Sequence, residues 1–569
     1  MTPRTATPPP RASLLARFGP LTAVLVAIGL VAALASTGRD DDRLSAGVGP
    51  KPKIGSSDSQ LPISWSEAKK AGTTADYNWG ENCDRETGRV KIPSNYAPPC
   101  LVARPGVAAA KATEASQGVT ADTITVVAYE PADDDLSASL QALLDPPEKQ
   151  RETRLKLIQM LEERFSMWGR KIEVVNFKGT GSDETSSRAD AVTVATELGA
   201  FASLSSPGQQ SAYAEELASR GVLCLGCGLS VPDTTFQDNA PYLWGNLQSP
   251  EQFLVNLGDY LIERLNKRKA TFAGDPKLRK MTRVFGTVNF EQDPPVFGET
   301  GRIARERAAK RGFKSAFSLT YQLVIAQLAE KARSLVAQLK EAGVTTVVFL
   351  GDPIMPIYLT EAATDQDFYP EWVITGTVLT DTTVFGRLYD QKQWAHAFGI
   401  SSLPVRLPQD QGEGWRLHQW FYGEEPLAAK TIGVVFEPIR LLMLGIHHAG
   451  PNLSAATFRD GMFAYPPSGD SPTQPQISFG EHGFHEKPDY LAVDDMTEIW
   501  WDAEATGQDE QGKQGTGMMR YSDAGRRYLP GEMPKEAPRA FEKEGSVMIY
   551  KEPPADEAPP SYPSPAAGG

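Results

Sequence analysis

The chain has 569 residues, of which 41% are hydrophobic and 9% aromatic, as is typical of a globular protein. Its net charge of −14 and its scattered Lys and Arg residues exclude a nucleic-acid-binding protein, which needs a basic stripe. Four cysteines are too few for a disulfide scaffold, and too few for a closed zinc site unless histidines join them.

The first segment of the chain is an export or membrane signal. Three arginines within residues 1–17 precede the uncharged stretch 18–37, which at ~1.5 Å per residue spans the ~30 Å hydrocarbon core. We interpret 1–17 as a cytoplasmic n-region, and 18–37 as either a signal peptide cleaved near Ala35 or a retained anchor. The basic residues before the stretch, with acidic residues directly after it, orient the remainder to the extracytoplasmic side.

A tether and a tail flank the central part of the chain. Residues 38–117 are predicted to be an extracytoplasmic tether with one ordered knot, in which Cys83 and Cys100 enclose Pro- and Gly-rich sequence. A disulfide between them is chemically allowed outside the membrane. Residues 506–569 are predicted to be a C-terminal extension that ends in a disordered Pro-rich tail.

Between these segments, strands and helices alternate, which predicts parallel sheets covered on both faces. Apolar runs predict a first series of strands at 123–129, 171–177, 200–206 and 221–227, and a second at 282–290, 314–321, 345–352 and 371–378. The late segment 434–450 is apolar on most sides, so we expect a buried helix that returns to an existing lobe. The pattern therefore predicts two lobes, 118–244 with 377–452 and 245–376 with 453–505, joined by a hinge of several crossings.

This order of elements resembles the type I periplasmic-binding-protein fold, and in particular the branched-chain amino-acid (Leu/Ile/Val-type) substrate-binding proteins of ABC transporters, in an actinobacterial style. The resemblance covers about residues 117–505. It rests on "GVTADTITVVAY" (118–129), "RGVLCLGCGLSVPDTTFQDNAPYLWGN" (220–246) and "FEPIRLLMLGIHHAG" (436–450). It implies two Rossmann-like α/β lobes that close on a small polar solute, an amino acid or related metabolite, and a monomer that delivers it to a membrane permease.

In such proteins, loops at the carboxyl ends of the strands bind the ligand. Carried onto this chain, the resemblance implies first-lobe contacts from Glu130, Ser205, Ser206, Gln209, Cys227, Gly228 and Ser230. It implies second-lobe contacts from Asn289, Glu291, Tyr321 and Asp352. The acidic loop 130–135 departs from the family pattern and leaves a cationic or larger solute open.

Other motifs favour structural roles. Cys224 and Cys227 end a strand with no helix after them, so we expect a disulfide or a buried strand pair rather than a redox centre or half a metal site. In "EHGFHE" (481–486), His482 and His485 are interpreted as surface residues, and no metal site is predicted. No nucleophile–base pair or phosphate-binding loop is recognisable, so neither enzymatic activity nor a cofactor is expected. An alternative function is a membrane-tethered ligand-sensing module that acts through a partner protein.

Overall fold

A computed structural model describes residues 61–107, 116–135, 144–207, 211–227, 231–291, 306, 309–313, 317–485 and 487–568. The leader at 18–37 lies outside these residues.

The N-terminal knot comprises β1 (Ile63–Ser64), α1 (Trp65–Ala71) and β2 (Leu101–Val102), with β1 antiparallel to β2. A disulfide joins Cys83 to Cys100 beside a small apolar core. Ile92 and Tyr96 extend into the core of the first lobe, where the Arg440 guanidinium lies 4.5 Å from the centre of the Tyr96 ring. The predicted knot is therefore present, and it packs onto the first lobe.

The first lobe contains a sheet of five described strands, all parallel. They are β3 (Thr123–Glu130), β4 (Lys171–Lys178), β5 (Ala202–Leu204), β6 (Leu223–Leu225) and β7 (Leu243–Trp244), with helices α2 (Pro147–Arg164), α3 (Glu184–Thr196), α4 (Ala212–Ser219) and α5 (Asp233–Asp238). Their spatial order is β4-β3-β5-β6-β7. The continuous apolar run in β3 follows from burial on both faces, since Val126 and Val127 are fully buried.

The second lobe repeats this pattern. It begins with α6 (Pro250–Asp259), which continues as a π-helix over Tyr260–Leu265. Its next elements are β8 (Phe285–Phe290), β9 (Phe317–Tyr321), α7 (Leu328–Glu341), β10 (Thr346–Leu350), α8 (Met355–Asp365), β11 (Glu371–Ile374), α9 (Thr383–Gly386), α10 (Gln391–Trp394) and β12 (Ala397–Ser401). The parallel strands lie in the order β9-β8-β10-β11-β12. The helix α7 buries Leu328, Leu335 and Leu339 on one face.

Three further helices return the chain to the first lobe; the sequence predicts this for the first two, while the third lies in a segment predicted to belong to the second lobe. They are α11 (Glu413–Tyr422), α12 (Ile432–Ala449) and α13 (Ala455–Ala464). Within the described residues, α12 alone is long and apolar enough to cross a membrane, and 83% of its apolar window is buried. Leu441 and Leu442 of α12 pack in the core of the first lobe, so α12 is a core helix.

The chain ends in the second sheet and then in an ordered tail. β13 (Met496–Gln508) runs antiparallel to β12, and β14 (Gln514–Tyr521) and β15 (Arg527–Tyr528) both pair with β13. The tail predicted to be disordered lies against the first lobe instead. The Trp420 Nε1–H donates to Tyr562 O at 3.0 Å, and the Tyr562 hydroxyl bonds the Asp84 carboxylate at 2.9 Å.

The structure divides the chain between the lobes differently from the predicted boundaries. Residues 397–401, predicted to lie in the first lobe, form β12 of the second sheet. Conversely, Phe458 and Phe479, predicted to lie in the second lobe, pack around Trp244 in the first core. Residues 506–528, predicted to be an extension, complete the second sheet. A buried five-residue strand such as β12 carries no periodicity that separates it from a helix.

Three described crossings connect the lobes, at about residues 245–249, 402–412 and 494–495. The first and third run side by side, because the Gly245 N–H donates to Tyr490 O at 3.0 Å and the Ala492 N–H donates to Gly245 O at 3.1 Å. Arg527 joins the second and third by donating to Leu403 O and to the Asp495 carboxylate, both at 2.9 Å. The predicted multi-crossing hinge is therefore confirmed.

Candidate functional site

Strand order locates the candidate site. When the parallel strands of each lobe are numbered along the chain, both sheets have the spatial order 2-1-3-4-5. The strand order therefore reverses between the first strand and the third. Open α/β sheets bind ligands outside the carboxyl ends of the strands at such a switch point. The switch points are β3/β5 and β8/β10. The crossings at 245–249 and 402–412 leave from the carboxyl ends of β7 and β12, so the hinge lies on the carboxyl side of each sheet.

Ser205 and Ser206 lie at the first-lobe switch point, directly after β5. Ser205 has φ +68°, which is uncommon for a residue other than glycine, and its N–H donates to Leu225 O at 2.9 Å. Residues in such conformations concentrate at ligand-binding sites, where the surrounding structure holds them. Gln209, Gly228 and Ser230 lie outside the described residues.

The C-x-x-C motif forms a buried disulfide at the end of β6. Cys224 and Cys227 are bonded to each other, and both side chains are buried. Between them, Gly226 has φ +69°, and a Cβ atom there would meet Pro438 of α12 at 2.9 Å. Bonded, buried sulfur atoms offer no thiolate to a metal or a redox partner. The ligand contact predicted for Cys227 stays a prediction.

The acidic loop after β3 is largely neutralised by its neighbours. The Arg151 guanidinium donates to both Glu130 carboxylate oxygens, at 2.6 Å from Nε and 2.5 Å from Nη2. Lys178 lies 2.9 Å from Asp133, and the Ser182 hydroxyl donates to Asp134 at 3.2 Å. Glu130 and Asp133 thus each have a basic partner, and the predicted contact of Glu130 with a ligand stays a prediction.

In the second lobe, the structure brings Tyr321 and Asp352 together. The Tyr321 hydroxyl donates to Asp352 Oδ2, and Asp352 Oδ1 accepts from the backbone N–H groups of Ile354 and Met355 at 2.8 and 3.0 Å. Burial raises the pKa of the Asp352 carboxyl above its ordinary value, while these hydrogen bonds oppose the shift. The predicted contact of Asp352 with a ligand ammonium stays a prediction, and both its oxygens already accept hydrogen bonds.

Asn289 and Glu291 flank the end of β8 at the second switch point. Asn289 is buried, and its Nδ2 donates to Ser318 Oγ at 3.1 Å and to Leu319 O at 3.2 Å. Its Oδ1 is buried without a hydrogen-bond partner. The Glu291 N–H donates to Tyr321 O at 2.8 Å, which connects the loops after β8 and β9.

Several solved structures of solute-binding proteins are similar to this chain. An amino acid ABC transporter substrate-binding protein from Pseudomonas fluorescens Pf-5 shares 12% identity over 70% of this chain and 95% of its own, with a TM-score of 0.48. A solute-binding protein from Rhodopseudomonas palustris BisB5, in complex with 3,4-dihydroxy benzoic acid, shares 12% identity over 72% of this chain and 98% of its own, with a TM-score of 0.46. A fatty acid ABC transporter substrate-binding protein from Thermomonospora curvata shares 15% identity over 74% of this chain and 95% of its own, with a TM-score of 0.44. No protein-family model and no curated protein matches the sequence.

The strand order of the two sheets and the crossings between them identify the fold. This is the arrangement that the resemblance of the sequence to type I periplasmic binding proteins implies. The predicted fold class is therefore confirmed for the two lobes and their hinge.

Sequence reasoning missed Asp381, which follows β11 in the second lobe. Asp381 is 3% exposed, and its Oδ2 accepts from the Ser401 hydroxyl at 2.5 Å at the end of β12. Its Oδ1 is buried without a hydrogen-bond partner. Burial raises the pKa of this carboxyl from 3.8 to about 7, and the negative charge of Glu510 adds to the shift.

The backbone around Asp381 is constrained. Gly376, Val378 and Leu379 all have positive φ, and a Cβ atom on Gly376 would lie 3.0 Å from Asp381 Oδ2. The Gly351 N–H donates to the Thr377 hydroxyl at 3.1 Å, which ties this loop to the one that carries Asp352. The signal in the sequence was the Thr-rich stretch that follows the strand predicted at 371–378.

Proposed function

We propose that the protein is an extracytoplasmic solute-binding protein of an ABC-type importer, and that it captures a small polar solute between its lobes. The observation that carries the proposal is the repeated strand order, which gives each lobe a switch point on the side of the shared hinge. A solute that touches both lobes stabilises the closed arrangement by its differential contacts, so binding shifts the population towards closure.

The two carboxyl edges differ in chemistry, and this difference favours an amino acid or related metabolite. The first-lobe edge presents the Ser205 and Ser206 hydroxyls and the N-terminal end of α4, which are donors suited to a carboxylate. The second-lobe edge carries the buried Asp381 carboxyl, whose unpartnered oxygen suits an ammonium group. A solute with both charges would engage one lobe with each end.

The leader sequence supports the extracytoplasmic location. A basic n-region before an uncharged stretch of membrane-spanning length directs the lobes outward, whether the stretch is cleaved near Ala35 or retained. In this location the closed form would present its surface to a membrane permease. A retained anchor would equally suit the alternative, a tethered sensor that acts through a partner protein.

The test is to identify a solute that closes the protein. The full chain, purified in a mild detergent, is examined by native mass spectrometry for what co-purifies, and then titrated with a panel of amino acids and related metabolites. Closure is measured by X-ray scattering. We expect one class of amino acid to bind and to reduce the radius of gyration. No compaction with any member of a broad panel would refute the proposal.

Variants at the second-lobe edge test the assignment of charge. Asp381→Asn removes the carboxylate while keeping an acceptor for Ser401, so we expect solute affinity to fall by about tenfold or more. Asp133→Asn is the matched control, because Asp133 is 97% exposed and pairs with Lys178. Equal loss of affinity in both variants would indicate a general electrostatic effect and not a contact.

A further inference from the structure

The segment that leads into β13 brings together one imidazole and two carboxylates. His485, Asp489 and Asp494 each offer a donor atom within 4.8 Å of the other two. The Nε2 of His485 lies 3.7 Å from Asp489 Oδ2. The sequence places His485 in a turn, which predicted a surface residue, but its side chain is only 11% exposed.

Each carboxylate has one oxygen held by the protein and one without a hydrogen-bond partner. Asp489 Oδ1 accepts from Gln252 Nε2 at 2.7 Å and from the Leu491 N–H at 2.8 Å. Asp494 Oδ2 accepts from the Ser478 hydroxyl at 2.8 Å and from Gln476 Nε2 at 3.1 Å. The remaining oxygens, Asp489 Oδ2 and Asp494 Oδ1, are buried and unpartnered. Asp489 Oδ2 is also the oxygen that faces His485.

Among the residues that the structure describes, neither carboxylate is paired with a lysine or an arginine. Asp489 is 4% exposed and Asp494 is fully buried, yet the ion pairs of the described residues bring no Lys or Arg to either. Asp495, the next residue, is paired with Arg527 at 2.9 Å. Burial raises the pKa of the Asp489 and Asp494 carboxyls to about 8. Buried carboxylates that stay charged in proteins are paired with cations or bound to metal ions, and unpaired ones are protonated.

We propose that His485, Asp489 and Asp494 bind a divalent transition-metal ion, with Zn²⁺ as the best match. Imidazole nitrogen favours Zn²⁺ over Ca²⁺ or Mg²⁺, which take oxygen ligands, and carboxylate oxygens complete a mixed site. Two ligands at ~2.1 Å from a tetrahedral Zn²⁺ lie about 3.4 Å apart, close to the 3.7 Å between His485 and Asp489. Three protein ligands leave a fourth position for water.

The position of this cluster in the hinge gives the ion a structural role. Asp494 lies in the third crossing, and the Asn256 Nδ2–H donates to its carbonyl oxygen at 3.4 Å from α6 of the second lobe. Asp489 is held by Gln252, on the first turn of α6. A bound ion would therefore fasten the third crossing to the first-lobe segment that carries His485, beside the start of the second lobe. This role adds to the proposed solute binding and does not depend on it.

The test uses the full chain without a polyhistidine tag, purified in a mild detergent and stripped with EDTA. Zn²⁺, Mn²⁺, Ca²⁺ and Mg²⁺ are each titrated by calorimetry, and thermal unfolding is recorded with each ion and after renewed EDTA. We expect one Zn²⁺ per chain, a raised unfolding temperature, and reversal by EDTA. Asp494→Asn and His485→Gln should each weaken Zn²⁺ binding by at least about tenfold.

Controls make each outcome decisive. His482→Gln removes a neighbouring imidazole that bonds Phe479 O at 2.8 Å and lies outside the cluster, so it should bind Zn²⁺ like the wild type. Asp494→Asn removes a buried charge, so the metal-free variant should unfold at the wild-type temperature or above. This result would show that the variant folds. Unchanged Zn²⁺ binding in Asp494→Asn and His485→Gln, no Zn²⁺ binding by the wild type, or preference for Ca²⁺ or Mg²⁺ would each overturn the proposal.

Discussion

Replacing Asp381 with Asn tests whether the buried, charged carboxylate at the second-lobe edge lowers the stability of the folded protein. Asp381 is fully buried, its Oδ1 is unpartnered, and its charge is opposed by Glu510. Its pKa is raised from 3.8 to about 7, which at about 1.4 kcal/mol per pKa unit corresponds to about 4 kcal/mol lost from the folded state at high pH. Relaxation and water penetration reduce this, so we expect an observed cost of about 2–4 kcal/mol.

The direction of the pH dependence follows from the raised pKa. Near pH 4 the carboxyl is protonated in the folded state and about half protonated in the unfolded state, so the cost is only about 0.5 kcal/mol. Between 3.8 and about 7 the unfolded state releases its proton first, so the wild type loses stability as pH rises through this window. Asn carries no charge, and its side-chain oxygen still accepts from Ser401. The variant should therefore exceed the wild type by only about 0.5 kcal/mol near pH 4 and by about 2–4 kcal/mol above pH 7.

The assay is urea unfolding of wild type, Asp381→Asn and Asp133→Asn near pH 4 and at pH 8.5. Asp133→Asn serves as the control, since an exposed carboxylate should give no pH-dependent difference of this size. A solute ammonium bound at Asp381 would relieve the cost, so a bound amino acid should stabilise the wild type more than Asp381→Asn at pH 8.5. An advantage of Asp381→Asn that is the same at both pH values, or absent at high pH, would refute the reasoning.

Further predictions concern stability. Replacing both Cys83 and Cys100 with Ser removes the disulfide between residues 17 positions apart. The free energy of unfolding, measured by thermal unfolding, should fall by about 3 kcal/mol. No change after the double substitution would contradict a stabilising role for the disulfide. The Glu371 carboxylate is fully buried and lies 2.7 Å from Arg283 Nε. Arg283→Met leaves this carboxylate without its cation, so the free energy of unfolding in urea should fall by about 3–5 kcal/mol. A decrease below about 1 kcal/mol would contradict a stabilising ion pair. Because the Tyr562 carbonyl accepts from Trp420 and the Tyr562 hydroxyl bonds Asp84, the folded protein should resist proteolysis near Tyr562, and cleavage there at the rate of an unfolded peptide would contradict the ordered tail.

Much of the fold was predictable because β3 and β10 lie in mostly apolar runs. The runs at 123–129 and 345–352 are buried on both faces, so their composition alone marks central strands of parallel sheets. The helix at 434–450 was assigned to an existing lobe because it is apolar on most sides. The short strand β12 and the segment 453–493 were misplaced, since neither carries a period that shows which core it joins.

The candidate site was predictable only as a set of loops. Ser205, Asn289 and Asp352 follow apolar strands, and the carboxyl ends of such strands are general binding positions. Their partners are not readable from sequence spacing. Asp352 is bonded to a tyrosine 31 residues away, and Glu130 to an arginine 21 residues away. Asp381 was overlooked, although its position after a predicted strand was visible.

The sequence by itself determined the alternation of apolar strands and helices, the repetition of that series, and the basic and uncharged leader. These features depend on local hydrophobic patterning, which each segment carries independently. Only the tertiary structure decided which lobe each late segment joins, which carboxylates are neutralised, and which remain buried without a partner. Those outcomes depend on residues brought together from distant parts of the chain, as when Asp489 meets Gln252 across the hinge.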